Sequence, residues 1–215
     1  MHSQEAKRDD ASAIGALDFA GITLAVFPGV YGPREDSELL ASAVARLASG
    51  RFLDLGCGTG MQGITASRSP KVSSVSFADI SPLAVSCAQF NASSNRIPLP
   101  NSFIRSDLFS GLGGEPFDTI AFNPPYLPTS RVDRVAGALN SALDGGPSGR
   151  KVTDRFLKEF PSHLAADGVM LLVDSSLARF EKSVRFLESR GYCAEIAASR
   201  RFFFEEVVVI KAARA

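Results

Sequence analysis

The chain has 215 residues, of which 45% are hydrophobic and 21% are charged, which is the composition of an ordinary globular protein. Its 23 Lys and Arg residues balance its 23 Asp and Glu residues, and this excludes a strong overall field that would recruit nucleic acid or membrane. The three cysteines, Cys57, Cys87 and Cys193, have no CxxC spacing, and their odd number argues against a disulfide framework.

The first twenty residues carry several charged side chains before any apolar stretch, and we expect them to form a flexible N-terminal segment followed by a single domain over residues 21–215. They lack the cationic start and long apolar segment of a secretory signal. No stretch approaches the roughly 18 continuous apolar residues that a membrane span requires. We therefore expect a cytoplasmic protein.

Strands and helices alternate along most of the chain. The predicted strands cover residues 22–26, 51–55, 72–79, 102–105, 118–122, 168–173, 192–197 and 206–211. The predicted helices begin at Asp36, with Asp36 or Ser37 as N-cap, and cover residues 61–69, 82–95, 150–165 and 178–190. This alternation predicts an α/β fold with a parallel sheet and helices on both faces. The last two strands follow each other directly, so they should pair as an antiparallel hairpin at one edge.

A glycine loop follows the second predicted strand, with Gly56, Gly58 and Gly60 where the chain must turn sharply into a helix. Glycine accepts positive φ and lets backbone N–H groups approach a ligand closely. Asp54 precedes the loop, and Asp79 ends the next strand, where dinucleotide folds place an acid on ribose hydroxyls. The alternative is that the loop only turns the chain and that Asp54 is a solvated acid at a strand end.

The GxGxG spacing differs from the GxGxxG fingerprint of nicotinamide and flavin folds. An acid at the head of the loop would repel a pyrophosphate, whereas it would attract a cationic cofactor that carries an amino acid. S-adenosylmethionine has a sulfonium, an α-amino group and a ribose diol, so it fits both carboxylates. We expect Cys57, inside the loop, to be a small filler rather than a nucleophile.

A third acid, Asp107, ends the next predicted strand and comes before Leu108. Its carboxylate could accept a hydrogen bond from an adenine amino group, with the leucine side chain covering the ring. As a lone acid before an apolar pair, it could equally cap the next turn.

The segment Asn123-Pro124-Pro125-Tyr126 stops the strand at residues 118–122, because neither proline can donate to a sheet ladder. It lies at the carboxyl edge, where ligands of open α/β sheets bind. The Asn123 side-chain oxygen and the Pro124 carbonyl can each accept one N–H of a planar amino group. Pro125 makes that carbonyl rigid, and the Tyr126 ring can lie against the substrate. This arrangement predicts N-methylation of an amide or an exocyclic amine.

At these residues the chain resembles the class I S-adenosylmethionine-dependent methyltransferases. More narrowly, it resembles the HemK-type family, which methylates a glutamine side-chain amide in translation termination factors. The glycine loop is general to the class, and Asn-Pro-Pro-Tyr is shared by amide and amine N-methyltransferases. Residues 30–37, Val-Tyr-Gly-Pro-Arg-Glu-Asp-Ser, resemble the Tyr-x-Pro-x-Glu-Asp-Thr/Ser segment of the short archaeal and eukaryotic branch. Residues 145–150 are similar to that branch's Gly-Gly-x-x-Gly-Arg.

The resemblance implies a Rossmann-like domain with a seven-stranded, mostly parallel sheet and S-adenosylmethionine as the cofactor. The two histidines, His2 and His163, have no Cys or carboxylate neighbours at ligand spacing, so we expect no metal site. It implies that the substrate is the glutamine of the Gly-Gly-Gln motif in a peptide chain release factor. The catalytic residues that it implies are Asn123, Pro124, Pro125 and Tyr126. The implied cofactor-binding residues are Tyr31, Pro33, Asp36, Ser37, Asp54, Gly56, Gly58, Gly60, Asp79, Ile80, Asp107, Leu108 and Asn123. Residues 31–37 would form a lid over the cofactor's methionine end, or else a surface loop that caps the following helix.

The chain departs from the branch at Gly32, at Arg34 and in the aromatic stretch of residues 200–204, and these departures concern the protein substrate rather than the cofactor. Alternative substrates are another protein side chain or a base amino group in RNA or DNA, which the balanced charge disfavours. A non-catalytic binding protein that kept the fold is a further alternative.

Two kinds of partner contact are suggested. The short branch is often activated by a small zinc-binding protein that adds a strand to the sheet, and residues 72–77 are either an apolar edge for it or a buried central strand. Basic residues after the catalytic segment are either a contact for an acidic partner or a solvated helix face: Arg131, Arg134, Arg150, Lys151 and Arg155.

Overall fold

A computed structural model describes residues 15–98, 100–128 and 144–215, and in these ranges the chain forms nine strands and five α-helices. The strands are β1 Gly15–Phe19, β2 Ile22–Val26, β3 Gly50–Leu55, β4 Val72–Asp79, β5 Asn101–Arg105, β6 Phe117–Phe122, β7 Leu164–Ser175, β8 Tyr192–Arg201 and β9 Glu206–Arg214. The helices are α1 Glu35–Leu47, α2 Met61–Ala66, α3 Pro82–Ser94, α4 Lys151–Glu159 and α5 Phe180–Ser189.

Seven of the described strands form one sheet in the order β5-β4-β3-β6-β7-β9-β8. Strands β3 to β7 pair in parallel, and β9 pairs antiparallel with both β7 and β8. The predicted seven-stranded, mostly parallel sheet with a C-terminal antiparallel hairpin at one edge is therefore confirmed. Because β8 runs in the same direction as β6, the β8–β9 turn lies at the edge where the parallel strands end.

Helices cover both faces of this sheet. The core on one face includes Leu40 of α1 and Ile64 of α2, and the core on the other includes Phe156 of α4 and Leu187 of α5. Successive side chains of a strand point to opposite faces, so adjacent residues of β3 belong to different cores. Among the described residues, no helix has the length and apolar character that a membrane crossing requires.

A separate two-stranded sheet joins β1 and β2 through Ala20 and Gly21, whose φ angles are 48° and 74°. Two consecutive residues with positive φ form the tight turn that matches the twist of a hairpin. Residues 15–19 are thus a strand, and the prediction of a flexible segment is wrong for them. Residues 1–14 lie outside the described residues. The assignment of residues 21–215 to one domain stays a prediction.

Three local expectations differ from the structure. The N-cap of α1 is Arg34, so Asp36 and Ser37 lie inside its first turn. The helix predicted for residues 150–165 ends at Glu159, because Pro161 cannot donate a helical hydrogen bond and the chain leaves through a short 3-10 turn into β7. Residues 72–77 belong to β4, which lies between β3 and β5, so they are a central strand and not an edge.

Candidate active site

The carboxyl ends of β3, β4 and β6 open onto a cavity of about 420 Å³. Every predicted site residue except Gly60 lines it: Tyr31, Pro33, Asp36, Ser37, Asp54, Gly56, Gly58, Asp79, Ile80, Asp107, Leu108, Asn123, Pro124, Pro125 and Tyr126. Gly60 instead starts α2 with φ 82°, and a Cβ added there would lie 3.1 Å from the Ala88 Cβ. It therefore allows the turn and the close approach of α3. The binding roles assigned to these residues stay predictions.

Asp79 holds the glycine loop in place by a hydrogen bond to its backbone. Its Oδ2 accepts a hydrogen bond from the Gly58 backbone N–H at 3.1 Å, and its Oδ1 accepts one from the Ser81 N–H at 2.8 Å. Burial raises the pKa of this carboxyl above its usual value, while these backbone hydrogen bonds lower it. Each carboxylate oxygen has a further lone pair, so the cavity side of Asp79 can still accept from a ligand.

Asp54 is 1% exposed, and its Oδ2 accepts the Gly63 backbone N–H at 2.8 Å. The alternative of a solvated acid at a strand end is therefore wrong. Burial raises the pKa of Asp54 well above its usual value, and the charge of Asp79 raises it further. An ionised carboxylate that is buried from water is stabilised by a nearby cation or by a strong hydrogen-bond donor. Burial also raises the pKa of the Cys57 thiol, which agrees with a filler in the loop.

Asp36 holds the side chains of the Asn-Pro-Pro-Tyr segment. Its Oδ2 accepts hydrogen bonds from the Asn123 Nδ2 at 3.0 Å and from the Tyr126 hydroxyl at 3.2 Å. Its Oδ1 accepts the Ser37 backbone N–H at 2.7 Å. An ionised carboxylate only accepts, so it fixes which end of the Asn123 amide faces it.

The Asn123 Oδ1 atom consequently points away from Asp36. It is buried and has no hydrogen-bond partner among the described residues. Buried acceptors are nearly always satisfied in folded proteins, so an unused one at the wall of a cavity indicates a place for a ligand donor.

Both tyrosines of the cavity keep their protons at neutral pH. Burial, followed by the charge of Asp36, raises the pKa of Tyr31 to about 12 and raises that of Tyr126 further. The Tyr126 hydroxyl is therefore a donor to Asp36 rather than a competing anion. The Arg34 guanidinium carbon lies 5.7 Å from the centroid of the Tyr31 ring.

The cavity also includes residues that the motifs did not indicate. Arg155 of α4 lines it and donates to both Asp107 oxygens, at 3.1 Å and 3.2 Å. The Asp107 carboxylate, for which the sequence predicts an adenine contact or a turn cap, therefore uses one acceptor position on each oxygen for Arg155. The other wall residues outside the predicted site set are Gly29, Val30, Leu55, Cys57, Thr59, Met61, Gln62, Ser81, Ala84, Ser106, Phe122, Leu127, Asp144, Lys151 and Val152.

The basic residues after the catalytic segment do not form one solvated face. Arg150 is 6% exposed and pairs with Asp154 at 2.8 Å and with the buried Asp174 at 3.5 Å. Arg131 and Arg134 lie outside the described residues. Among the residues that the structure describes, no group of three or more His, Cys, Asp or Glu side chains is arranged to hold a metal ion.

Comparison with known proteins agrees with this geometry. The family model of the methyltransferase small domain matches residues 21–140. A protein of Methanocaldococcus jannaschii, named as a protein N5-glutamine methyltransferase, is 39% identical over 198 residues, which cover 92% of this chain and 98% of the relative. A release factor glutamine methyltransferase of Geobacter sulfurreducens is 28% identical over 89% of this chain and 69% of its own length.

A solved structure is also similar. A chain of the Mtq2–Trm112 complex of E. cuniculi superposes with a TM-score of 0.66 at 27% identity. The match covers 87% of this chain and all of that chain, and the complex is responsible for methylation of the eRF1 translation termination factor.

Proposed function

The chain belongs to the methyltransferase small domain family, in its HemK-type branch, and from this premise we propose that it methylates the glutamine side chain of the Gly-Gly-Gln motif in a peptide chain release factor. The relatives named for glutamine or release-factor methylation support this substrate. The observation that carries the proposal is the buried Asn123 Oδ1 beside Tyr126, which has no hydrogen-bond partner in the described ranges and whose direction is fixed by Asp36.

The cavity fits S-adenosylmethionine as the methyl donor. The buried Asp54 suits a cationic amino-acid end, and Asp79 keeps acceptor capacity for a ribose diol. Leu108 and Ile80 supply apolar surface on the same wall for an adenine ring. When it is bound, this cofactor supplies a methyl group from its sulfonium.

The residues of the Asn-Pro-Pro-Tyr segment prepare the amide nitrogen, whose lone pair is delocalised and poorly nucleophilic. The Asn123 Oδ1 and the Pro124 carbonyl would each hold one N–H, which turns the nitrogen lone pair toward the methyl group. As the nitrogen becomes tetrahedral, its N–H groups become more acidic, so these hydrogen bonds strengthen in the transition state. The Tyr126 ring can contact the developing positive charge, an effect of about 0.5–2 kcal/mol. The product proton leaves to water, so no carboxylate base is required.

A small activating subunit is part of the proposal, because the similar Mtq2 chain is found in a complex with Trm112. We propose that such a subunit, a zinc-binding protein in this branch, would add its strand at β5. This strand is the outermost one at that end of the seven-stranded sheet. Since the proposed substrate is a translation factor, we place the activity in the cytoplasm.

The experiment that tests this function is mass spectrometry of the source organism's release factor after incubation with the protein and isotope-labelled S-adenosylmethionine. The expected result is one labelled methyl group on the glutamine of Gly-Gly-Gln. A release factor with that glutamine replaced by alanine is the control and should stay unlabelled. Total RNA, DNA and bulk protein are incubated in parallel, and label found in one of them instead would replace the proposed substrate.

A further inference from the structure

The turn between β8 and β9, residues 202–205, is the most exposed apolar feature among the described residues. Phe203 is 92% exposed and Phe204 is 84% exposed. Their rings meet edge to face, with centroids 4.6 Å apart. Exposure of two neighbouring aromatic rings to water costs free energy in an isolated protein, and such apolar surfaces commonly mark an interaction site.

Topology places this turn at the rim of the active site. Since β8 is parallel to β6, its last residue lies at the same edge of the sheet as Asn123. The base of the turn is fixed, because the Ser176 N–H donates to the Glu206 carbonyl and the Glu206 N–H donates to the Ser176 hydroxyl, both at 2.9 Å. Arg200 also donates to Glu38 of α1 at 3.4 Å, two residues from Asp36 in the chain.

Glu205, the last residue of the turn, is half-buried, and its backbone carbonyl accepts the Phe202 N–H at 2.7 Å. Its charge is also among the smaller causes, after burial and the charge of Asp36, of the raised pKa values of Tyr126 and Tyr31. Its Oε1 atom is buried and has no hydrogen-bond partner among the described residues. A buried carboxylate oxygen without a donor is costly, so a donor from a bound molecule would stabilise it.

The charges around the turn favour a polypeptide over a nucleic acid. Arg200 pairs with Glu38 at 3.4 Å and Arg201 pairs with Glu206 at 3.4 Å, so both cations are already compensated. Within the described part of the chain the Glu205 Oε1 has no hydrogen-bond partner, and this carboxylate would repel a phosphate backbone. A polypeptide offers both apolar side chains for the rings and N–H groups for the acid.

We propose that residues 202–205 dock the polypeptide substrate. Phe203 and Phe204 pack against its apolar side chains next to the methylated glutamine, and Glu205 accepts one of its main-chain N–H groups. This inference rests on the proposed release-factor methylation and assigns the substrate contact to a specific element of this chain.

The first test compares steady-state kinetics on intact release factor for wild type and for the double variant Phe203→Ala/Phe204→Ala. The KM for the release factor should rise roughly tenfold or more, because a few aromatic side chains carry most of the affinity of such an interface. The affinity for S-adenosylmethionine and kcat should stay within about twofold, since the rings touch neither the cavity nor the reacting atoms. Ile196→Ala is the matched control, because Ile196 is 43% exposed in the middle of β8, the strand that leads into the turn.

The second test measures the contribution of the Glu205 carboxylate separately from that of the two phenylalanine rings. Glu205→Ala should raise the KM for the release factor, whereas Glu205→Gln, which keeps an acceptor oxygen, should raise it less. Glu195→Ala is the control, because Glu195 is a surface acid of β8 that pairs with Lys211 at 2.7 Å.

Several outcomes would overturn the docking role. These are an unchanged KM in the double variant, equal losses in KM, kcat and cofactor affinity, or a wild-type dimer that the double variant converts to a monomer. Ring-dependent methylation of RNA would overturn it as well. Failure of the proposed function gives a different result, in which wild type leaves the release factor unlabelled.

Discussion

Asp36 and Asn123 are 87 residues apart in the chain, yet the Asp36 Oδ2 accepts the Asn123 amide N–H at 3.0 Å. The same oxygen accepts the Tyr126 hydroxyl at 3.2 Å. A helix that begins before β3 thus sets the direction of two side chains that follow β6. Asp36 was predicted as a cofactor-binding residue, and the structure shows that it is also a partner of the proposed catalytic segment.

Asp36→Asn should lower kcat by about 10- to 100-fold, because a hydrogen bond to a charged group contributes about 1.5–3 kcal/mol and each 1.4 kcal/mol is a factor of ten in rate. With an amide at position 36, the Asn123 side chain can rotate and lose its fixed direction. The measurement is single-turnover methyl transfer together with calorimetric titration of S-adenosylmethionine. Glu35→Gln, an exposed change in the same helical turn, is the control. A kcat within twofold of wild type would show that Asp36 does not position Asn123. A loss of cofactor affinity equal to the loss of kcat would show that Asp36 acts only in cofactor binding.

Asn123→Ala should nearly abolish transfer, by about 100- to 1,000-fold, since it removes an acceptor whose hydrogen bond strengthens in the transition state. Affinity for S-adenosylmethionine should stay close to normal, because the carboxylates of Asp54 and Asp79 are untouched. Turnover and calorimetry on the same preparation check this. Parallel losses of both quantities would show that the asparagine holds the cofactor rather than the acceptor amide.

Asp54→Asn should stabilise the cofactor-free protein at neutral pH. Burial raises the pKa of Asp54 in the folded state, so the folded protein holds this proton more tightly than the unfolded chain does. The stability that this group contributes is complete below its unfolded pKa of about 3.9 and is lost as pH rises through the raised folded value. The variant amide can still accept the Gly63 N–H but carries no charge.

Thermal unfolding from pH 4 to pH 8 tests this relation. The melting temperature of the variant should exceed that of wild type at pH 8, and the difference should shrink toward pH 4. Binding of S-adenosylmethionine should weaken strongly in the same variant. A melting-temperature difference that does not vary with pH would mean that Asp54 keeps the same protonation in both states.

Much of the fold and cavity could be predicted from local patterns. Strand-to-helix alternation, the glycine loop and the double proline each act within a few residues, and they placed Asp54, Asp79 and Asn123 at one edge of the sheet. The contact between Asp36 and Asn123 has no local signal, because it depends on how α1 packs beside the end of β6. The same applies to Arg155 and Asp107, which come together from α4 and the second residue after β5.

Arg150 is a residue whose local sequence predicts the wrong environment. A run of basic residues at the start of a helix is typical of a solvated face, yet the Arg150 side chain lies between α4, α5 and the end of β7. Its Nη1 donates to the Ala178 carbonyl at 2.9 Å and its Nη2 donates to the Ser183 hydroxyl at 3.0 Å. Both partners follow β7 in the chain, so the sequence around Arg150 contains no sign of them.

Arg150→Met should therefore destabilise the protein by about 3–5 kcal/mol, because it leaves the carboxyl of Asp174 buried without its cation. Burial already raises the pKa of Asp174, and the arginine is one of the groups that lower it. Urea unfolding of the cofactor-free protein measures the loss. Arg155→Met is the matched control, since Arg155 and Asp107 are each 47% exposed and such a surface pair contributes less than about 1 kcal/mol. Adding Asp174→Asn to the Arg150→Met variant removes the orphaned charge and should recover part of the stability, and no recovery would show that packing of the arginine, rather than its charge, stabilises this region.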